Sequence, residues 1–173
     1  AVRDLSDWGA DVVKVGIGQG SPCTTKDKTG FTMPMFSCTQ KCSGLYSGDF
    51  LEGSEKKIPI IADGGIKCNG DIAKAIVAGA NMVMAGGLFA ACTDSPAVPS
   101  TINDVPHKAY FGSASAENKG HNNNVEGKLT NISCNNMTYE QKLNEITQDL
   151  QSSISYAGGN NLESLQNVDY DLV

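Results

Sequence analysis

Three short apolar segments of this chain, residues 12–17, 58–62 and 81–85, are each followed at once by a turn that contains glycine. Short apolar runs bounded by turn residues are typical of buried strands. Residues 70–78 lie between the second and third runs and have the apolar spacing of a helix. Strands that alternate with helices form parallel sheets covered on both faces. We therefore predict an α/β fold in which these three segments are parallel strands.

The length of 173 residues suits one domain, and we predict a single domain over residues 1–173. The net charge of -6 is not accompanied by any basic run, which disfavours nucleic-acid binding. No apolar stretch approaches the about 18 residues that span a bilayer. The first residues are polar and amphipathic rather than signal-like. We expect a cytoplasmic protein that binds neither nucleic acid nor a membrane.

Several further segments have local signals. Residues 2–9 and 32–46 are predicted to be helical. Residues 93–137 are rich in Asn, Ser, Thr and Pro, which predicts a loop or flap region. Residues 138–156 have apolar side chains at helical spacing, and Thr138 and Gln141 have the spacing of a capping box.

Six cysteines are present, at positions 23, 38, 42, 68, 92 and 134. In a chain that can form an ordinary core, free thiols are a better expectation than a disulfide framework. Cys38 and Cys42 have helical spacing, but no Cys or His pair completes a zinc site with them.

The loop after the first predicted strand contains Gly18 and Gly20, followed by Cys23. Glycines allow a tight turn and a close approach to a ligand, and a thiol at the end of such a loop is placed for nucleophilic attack. Thr24 and Thr25 could relay protons to a leaving group. The alternative is an ordinary half-buried thiol, which is the commoner role of a lone cysteine.

The loops after the other two strands carry Asp63-Gly-Gly65 and Gly86-Gly87. Loops at the carboxyl ends of parallel strands converge on one side of a sheet, where α/β proteins bind ligands. Asp63 could accept hydrogen bonds from a ribose diol, and the glycine N–H groups suit a phosphate. A plain turn, with Asp63 capping the next helix, explains the first motif equally well.

Several motifs together resemble the inosine monophosphate dehydrogenase and guanosine monophosphate reductase superfamily. They are Gly18-x-Gly20-Ser-x-Cys23-x-Thr25, Ile61-Ala-Asp-Gly-Gly-Ile66, Gly70-Asp-Ile-Ala-Lys-Ala75, Val83-Met-Ala-Gly-Gly-Leu88, Tyr110-Phe-Gly112 and residues 149–158. The resemblance implies the last three strands of a (β/α)₈ TIM barrel, followed by a flap-like region and a C-terminal helix. It also implies a homotetramer when the full barrel is present.

Within the superfamily the chain is similar to the reductase branch, through Lys28-Thr-Gly30 and Val125-Glu-Gly-Lys128. The longer flap of the dehydrogenase branch, with its Arg-Tyr pair, is absent between Gly112 and the last helix. This resemblance implies reductive deamination of GMP by NADPH to IMP and ammonia. In that reaction Cys23 attacks purine C2 and Thr25 helps to protonate the departing ammonia.

The resemblance assigns further residues by their position in the motifs. The phosphate would be bound by Ser21, Gly65, Gly86, Gly87 and Tyr110, and the ribose by Asp63, with Gly64, Gly112 and Ser113 as further substrate contacts. Ser115 would contact the cofactor. The carbonyl groups of Gly18, Gly20 and Cys23 would hold a monovalent cation, K⁺.

Two departures from the family pattern are visible. The glutamate expected shortly after Tyr110-Phe-Gly112 is replaced by Ala116, and Glu117 follows one residue later. We predict that Glu117 takes over its role, although one residue turns a helical side chain by about 100°. The second departure is that only three strands can be recognised, which leaves open sheet edges. Either the chain is the C-terminal half of a longer protein, or another chain supplies the rest.

Two other functions stay open on the sequence. An inosine monophosphate dehydrogenase would share the cysteine chemistry. A non-catalytic purine-nucleotide-binding fragment would be consistent with Ala116 and with the small number of strands.

Overall fold

Three short parallel strands form the first sheet of the computed structural model, which describes residues 1–44 and 58–171. Their bounds are Val13–Val15 (β1), Ile60–Asp63 (β2) and Met82–Met84 (β3), and their spatial order is β1-β2-β3. Val13 lies opposite Ile60, and Ile61 lies opposite Met82. The predicted parallel arrangement of these three segments is confirmed.

Helices separate the strands and pack against one face of the sheet. The predicted cover on both faces is wrong for the described residues, because Lys14, Met82 and Met84 are exposed on the opposite face. Those in the first half of the chain are α1 (Val2–Asp7), α2 (Thr25–Thr29), α3 (Met35–Ser43) and α4 (Asn69–Val77). Those in the second half are α5 (Gly86–Ala90), α6 (Ala116–Lys119), α7 (Tyr139–Tyr156) and a 3₁₀ helix (Leu162–Asn167). The predicted helix over residues 32–46 corresponds to α3, and its last two residues lie outside the described residues. Among the described helices, none combines the length and apolarity that a membrane span requires.

Three apolar clusters connect these elements in the described part of the chain, and two of them fix the helices around the sheet. Val13, Val15 and Ile60 pack with α1 and α3, because alternate side chains of a strand point to the same face. In the second cluster, Ile72 and Ile76 of α4 pack against Ile146 of α7, and Val83 of β3 packs against them. The last helix is therefore fixed to the helix that follows β2.

α7 begins as its sequence predicts. The hydroxyl of Thr138 accepts a hydrogen bond from the backbone N–H of Gln141, and the Gln141 side chain accepts one from the backbone N–H of Thr138. This reciprocal pair satisfies donors that the first turn of a helix leaves free. The predicted capping box is confirmed.

Residues 93–137 contain a second sheet, where the sequence predicted loops. Its strands are Val98–Ile102 (β4), Val105–Tyr110 (β5) and Thr130–Ser133 (β6), all antiparallel. Asn103 and Asp104 form the turn between β4 and β5 with φ angles of 50° and 62°. Asn and Asp tolerate this left-handed conformation, which tight hairpins require. The prediction of loops was wrong for these strands, because the polar composition of the segment outweighed the turn residues that indicate a hairpin.

Candidate active site

Two adjoining cavities lie where β1, β2 and β3 end. One, of about 290 Å³, is lined by the loop after β1, including Cys23 and Thr25, and by Glu126. The other, of about 340 Å³, is lined by Gly86 and Gly87 among others. They share five lining residues, Gln19, Gly20, Asp63, Gly64 and Tyr110. The loops that the sequence predicted to converge therefore do meet.

A hydrogen-bonded chain of three side chains lies in the first cavity. The thiol of Cys23 donates to Thr25 Oγ1 at 3.3 Å. The Thr25 hydroxyl donates in turn to Glu126 Oε2 at 2.6 Å. All three residues are partly buried. A proton can therefore pass between the thiol and the carboxylate through the threonine hydroxyl.

Backbone hydrogen bonds fix Glu126 beside the cysteine loop. The N–H of Thr24 donates to the carbonyl of Glu126, and the N–H of Lys128 donates to the carbonyl of Pro22, both at 2.9 Å. Cys23 and Gly127 form an antiparallel bridge between these bonds. The carboxylate is thus positioned by main-chain pairing of two segments that are far apart in the sequence.

Glu117 lies elsewhere. It is an exposed residue of α6, and it does not line either cavity. The structure therefore brings Glu126 to Thr25 where the sequence analysis predicted Glu117. The motif Val125-Glu-Gly-Lys128 contains Glu126, but the sequence alone assigns this residue no chemical role.

The conformation of the cysteine loop depends on glycine at one position in particular. Gly18 has a φ of 76°, and a β-carbon there would lie 2.7 Å from Thr32 Oγ1. A larger residue would be strained by its backbone and by this neighbour. Further along the loop, the N–H of Cys23 donates to the carbonyl of Gly20 at 2.9 Å. This turn presents the thiol just before α2 begins at Thr25.

Polar and charged side chains line the second cavity. Asp63 lies between the two cavities and forms an ion pair with Lys14. Burial and the negative charge of Asp63 raise the pKa of the Tyr110 hydroxyl, so Tyr110 stays a neutral hydrogen-bond donor at physiological pH. Lys67 and Lys142 add two cations to the wall. This environment suits an anion next to a hydroxyl-bearing group.

Most of the predicted site residues come together here. Gly18, Gly20, Ser21, Cys23, Thr25, Asp63, Gly64, Gly65, Gly86, Gly87, Tyr110, Gly112 and Ser113 all line one or both cavities. Ser115 does not: it is fully buried, and its hydroxyl accepts a hydrogen bond from the backbone N–H of Asn118 as the cap of α6. Ser115 lines neither cavity, so its contact with the cofactor stays a prediction that its placement does not support.

The described residues contain no cluster of three or more His, Cys, Asp or Glu side chains that could hold a metal ion. All six cysteines are free thiols. Burial and the neighbouring Cys38 raise the pKa of the Cys42 thiol to about 11, which leaves it a poor nucleophile.

Gly86 and Gly87 offer a matched pair of substitutions. A β-carbon at Gly86 would overlap the Tyr110 hydroxyl and lie 3.0 Å from the ring carbon that carries it, whereas one at Gly87 meets nothing within 4 Å. We expect Gly86→Ala to lower the free energy of unfolding by about 1–3 kcal/mol through this overlap. Gly87→Ala should change it by less than about 1 kcal/mol. Urea unfolding of both variants measures the difference, and equal effects would contradict the Tyr110 contact.

A comparison with known proteins identifies the family to which the chain belongs. The family model described as "IMP dehydrogenase / GMP reductase domain" matches residues 1–172, and the chain belongs to this family.

Three individual relatives that the chain resembles are named GMP reductase. The chain is 48% identical over 175 aligned positions to the GMP reductase of Oenococcus oeni. The alignment covers 100% of this chain and 51% of that protein. It is 47% identical to the GMP reductases of Chromobacterium violaceum and Mesoplasma florum, and these matches each cover 98% of this chain and 50% of the relative. The chain spans about half the length of these relatives.

Proposed function

We propose that this chain carries the nucleophile and the proton relay of a GMP reductase, which converts GMP to IMP and ammonia through a covalent cysteine–purine intermediate. The observation that carries the proposal is the hydrogen-bonded chain from Cys23 through Thr25 to Glu126. The relatives named GMP reductase support the same reaction. Covalent attachment divides one difficult substitution into two easier steps.

The relay accounts for the first half of the reaction. The Cys23 proton passes through the Thr25 hydroxyl to Glu126, and the resulting thiolate adds to purine C2. When the C2–N bond breaks, the same proton returns through Thr25 to the leaving amino group, which departs as ammonia. The purine is then bound to sulfur through C2. General acid–base help of this kind contributes about 10²–10⁴-fold to a rate.

The second half of the reaction needs a reductant, which the family resemblance implies is NADPH. When bound, NADPH would supply the hydride that reduces purine C2, and Cys23 would then be released as the thiolate, because the electron pair of the broken C–S bond returns to sulfur. Ser115 is the one residue predicted for this cofactor, and it is fully buried. The predicted cofactor contact therefore does not fit, and we assign no residue of this chain to the dinucleotide.

The substrate would lie across the two adjoining cavities. Asp63, at the boundary between them, would accept hydrogen bonds from the ribose hydroxyls. The phosphate would lie near the backbone N–H groups of Gly86 and Gly87 and the Tyr110 hydroxyl, with the purine base toward Cys23. This order of groups follows the order of the lining residues from one cavity to the other.

A monovalent cation remains part of the proposal. The carbonyl groups of Gly18, Gly20 and Cys23 are neutral oxygen donors, the kind that K⁺ sites use. The Gly20 carbonyl already accepts the Cys23 N–H and has a second lone pair for an ion. Three oxygens are an incomplete shell, so other segments would have to supply the rest. When bound, the ion would hold the cysteine loop in shape.

We also propose that β1–β3 are the last three strands of a (β/α)₈ barrel, in a protein that assembles as a homotetramer. The parallel order β1-β2-β3 and the match to about half of each relative support this reading. In such a barrel, further strands would pair with the edges of β1 and β3.

The deciding experiment is an assay of the chain alone and of the chain mixed with the N-terminal half of the Oenococcus oeni relative. Our proposal predicts NADPH-dependent loss of GMP with equal amounts of IMP and ammonia in the mixture. NAD-dependent oxidation of IMP would instead indicate a dehydrogenase. Binding of a purine nucleotide without turnover in either sample would indicate a non-catalytic fragment.

A further inference from the structure

We propose that Lys142 is a specificity-determining residue that makes an ionic contact with the phosphate of the substrate. This inference rests on the function proposed above and deepens it. Backbone N–H groups can bind phosphate without a charged partner, whereas a lysine makes the site depend on the negative charge of the ligand. The site would then bind nucleotides in preference to nucleosides through one side chain.

The burial of Lys142 is unusual for a lysine. Its side chain is only 12% exposed, whereas lysines are mostly exposed on protein surfaces. It belongs to the first turn of α7, and it lines the same cavity as Ser21, Gly86 and Gly87. Removing most of a lysine side chain from water is costly unless its ammonium has charged or hydrogen-bonding partners. The position of this one therefore needs an explanation.

Glu145 holds the Lys142 ammonium in place. The two side chains form an ion pair, and the hydrogen bond from Lys142 is the main cause of the lowered pKa of Glu145. Asn69 donates to the same carboxylate oxygen, with its Nδ2 3.1 Å from Glu145 Oε2, and its Nδ2 also lies 2.6 Å from Asp149 Oδ2. The ammonium is therefore positioned before any ligand binds, which reduces the entropy lost on binding.

The Lys142 ammonium also has N–H donors that its hydrogen bond to Glu145 does not use. A lysine carries three N–H donors, and Glu145 is the acceptor that the described residues provide. The charged side chains lining this cavity are Asp63, Lys67 and Lys142, and Asp63 is already paired with Lys14. With Asp63 paired to Lys14 and Lys142 paired to Glu145, Lys67 gives the described cavity wall a net positive charge beside hydroxyl and backbone N–H donors. Its complement is a phosphate group.

The test compares Lys142→Met with Lys142→Arg, which keeps the charge, and with Lys41→Met, which removes an exposed lysine of α3 away from the cavity. Calorimetry would measure the binding of GMP, guanosine and inorganic phosphate to the folded chain. We expect Lys142→Met to weaken GMP and inorganic phosphate about 10–100-fold and to leave guanosine unchanged. Lys142→Arg and Lys41→Met should stay within about threefold of the unmodified chain.

Each outcome has a definite meaning. An unchanged preference for GMP over guanosine in Lys142→Met, or an equal loss in Lys41→Met, overturns the inference, as does a failure of the unmodified chain to bind inorganic phosphate. Binding of phosphate that depends on Lys142, without any preference for GMP over adenosine monophosphate, supports the ionic contact and contradicts the proposed function. Circular dichroism checks the fold, and Lys142→Gln replaces Lys142→Met if the latter does not fold.

Discussion

Replacing Cys23 by alanine is expected to lower GMP turnover by at least about 10⁴-fold in an active assembly that contains this chain. The substitution removes the sulfur that would form the bond to purine C2, and the Thr25 hydroxyl that remains is a much weaker nucleophile. Steady-state assays of ammonia release measure the loss. Mass spectrometry of the quenched enzyme should show a purine adduct in the unmodified chain and none in the variant.

Cys134→Ala is the matched control. Cys134 is a partly buried thiol that follows β6 and does not line either cavity. Its loss should leave turnover within about threefold, because it removes a thiol without touching the relay. An adduct that persists in Cys23→Ala, or that is lost in Cys134→Ala, would assign the nucleophile to a different cysteine.

Replacing Glu126 by glutamine is expected to lower turnover about 10²–10⁴-fold, while Glu117→Gln leaves it unchanged. Glutamine keeps the shape of the side chain and a hydrogen-bond acceptor for Thr25 but cannot take up a proton. GMP binding should change little, because in the proposed mechanism Glu126 would transfer a proton and would not contact the nucleotide. The ratio of kcat to KM for the two variants, measured in parallel, tests both glutamates at once.

A double substitution sharpens this test. Thr25→Val interrupts the relay one step earlier, so adding Glu126→Gln to it should cost little further activity. Residues that act as one unit show this strong non-additivity. Independent, additive effects would mean that Thr25 and Glu126 do not share a proton path, and a large loss in Glu117→Gln would restore the prediction made from sequence.

Local patterns predicted the parts of the fold that depend on local forces. The strand at residues 58–62 and the helix after it were expected from apolar spacing, and the structure forms β2 and α4 there. From the sequence alone, Asp71 is also expected near the N-cap of that helix. In the structure Cys68 is the N-cap, and Asp71 accepts hydrogen bonds from the N–H groups of Lys67 and Cys68. Boundaries shifted by one or two residues because capping geometry, not hydrophobicity, decides where a helix begins.

The same local patterns did not predict pairing between segments that are far apart in the sequence. Nothing near Glu126 in the sequence indicates that its segment pairs with the cysteine loop, because the partner of Gly127 is Cys23. The family pattern directed attention to Ala116 and Glu117, which are close to Tyr110 in sequence. A β-carbon at Gly127 would lie 2.9 Å from the backbone nitrogen of Ser115, so the close approach of residues 126–128 to residues 114–115 requires a glycine.

The bond between Thr25 and Glu126 has a consequence for how the protein folds. This hydrogen bond joins residues 101 positions apart, and closing so long a loop costs chain entropy before any contact can stabilise the closed form. The pairing of residues 22–24 with residues 126–128 should therefore form late, after β1–β3 and β4–β6 have assembled. A partly folded chain then contains Cys23 without its carboxylate partner, so the thiol gains its proton acceptor only in the finished protein. Order of assembly would in this way protect the chain from unwanted thiol chemistry during synthesis.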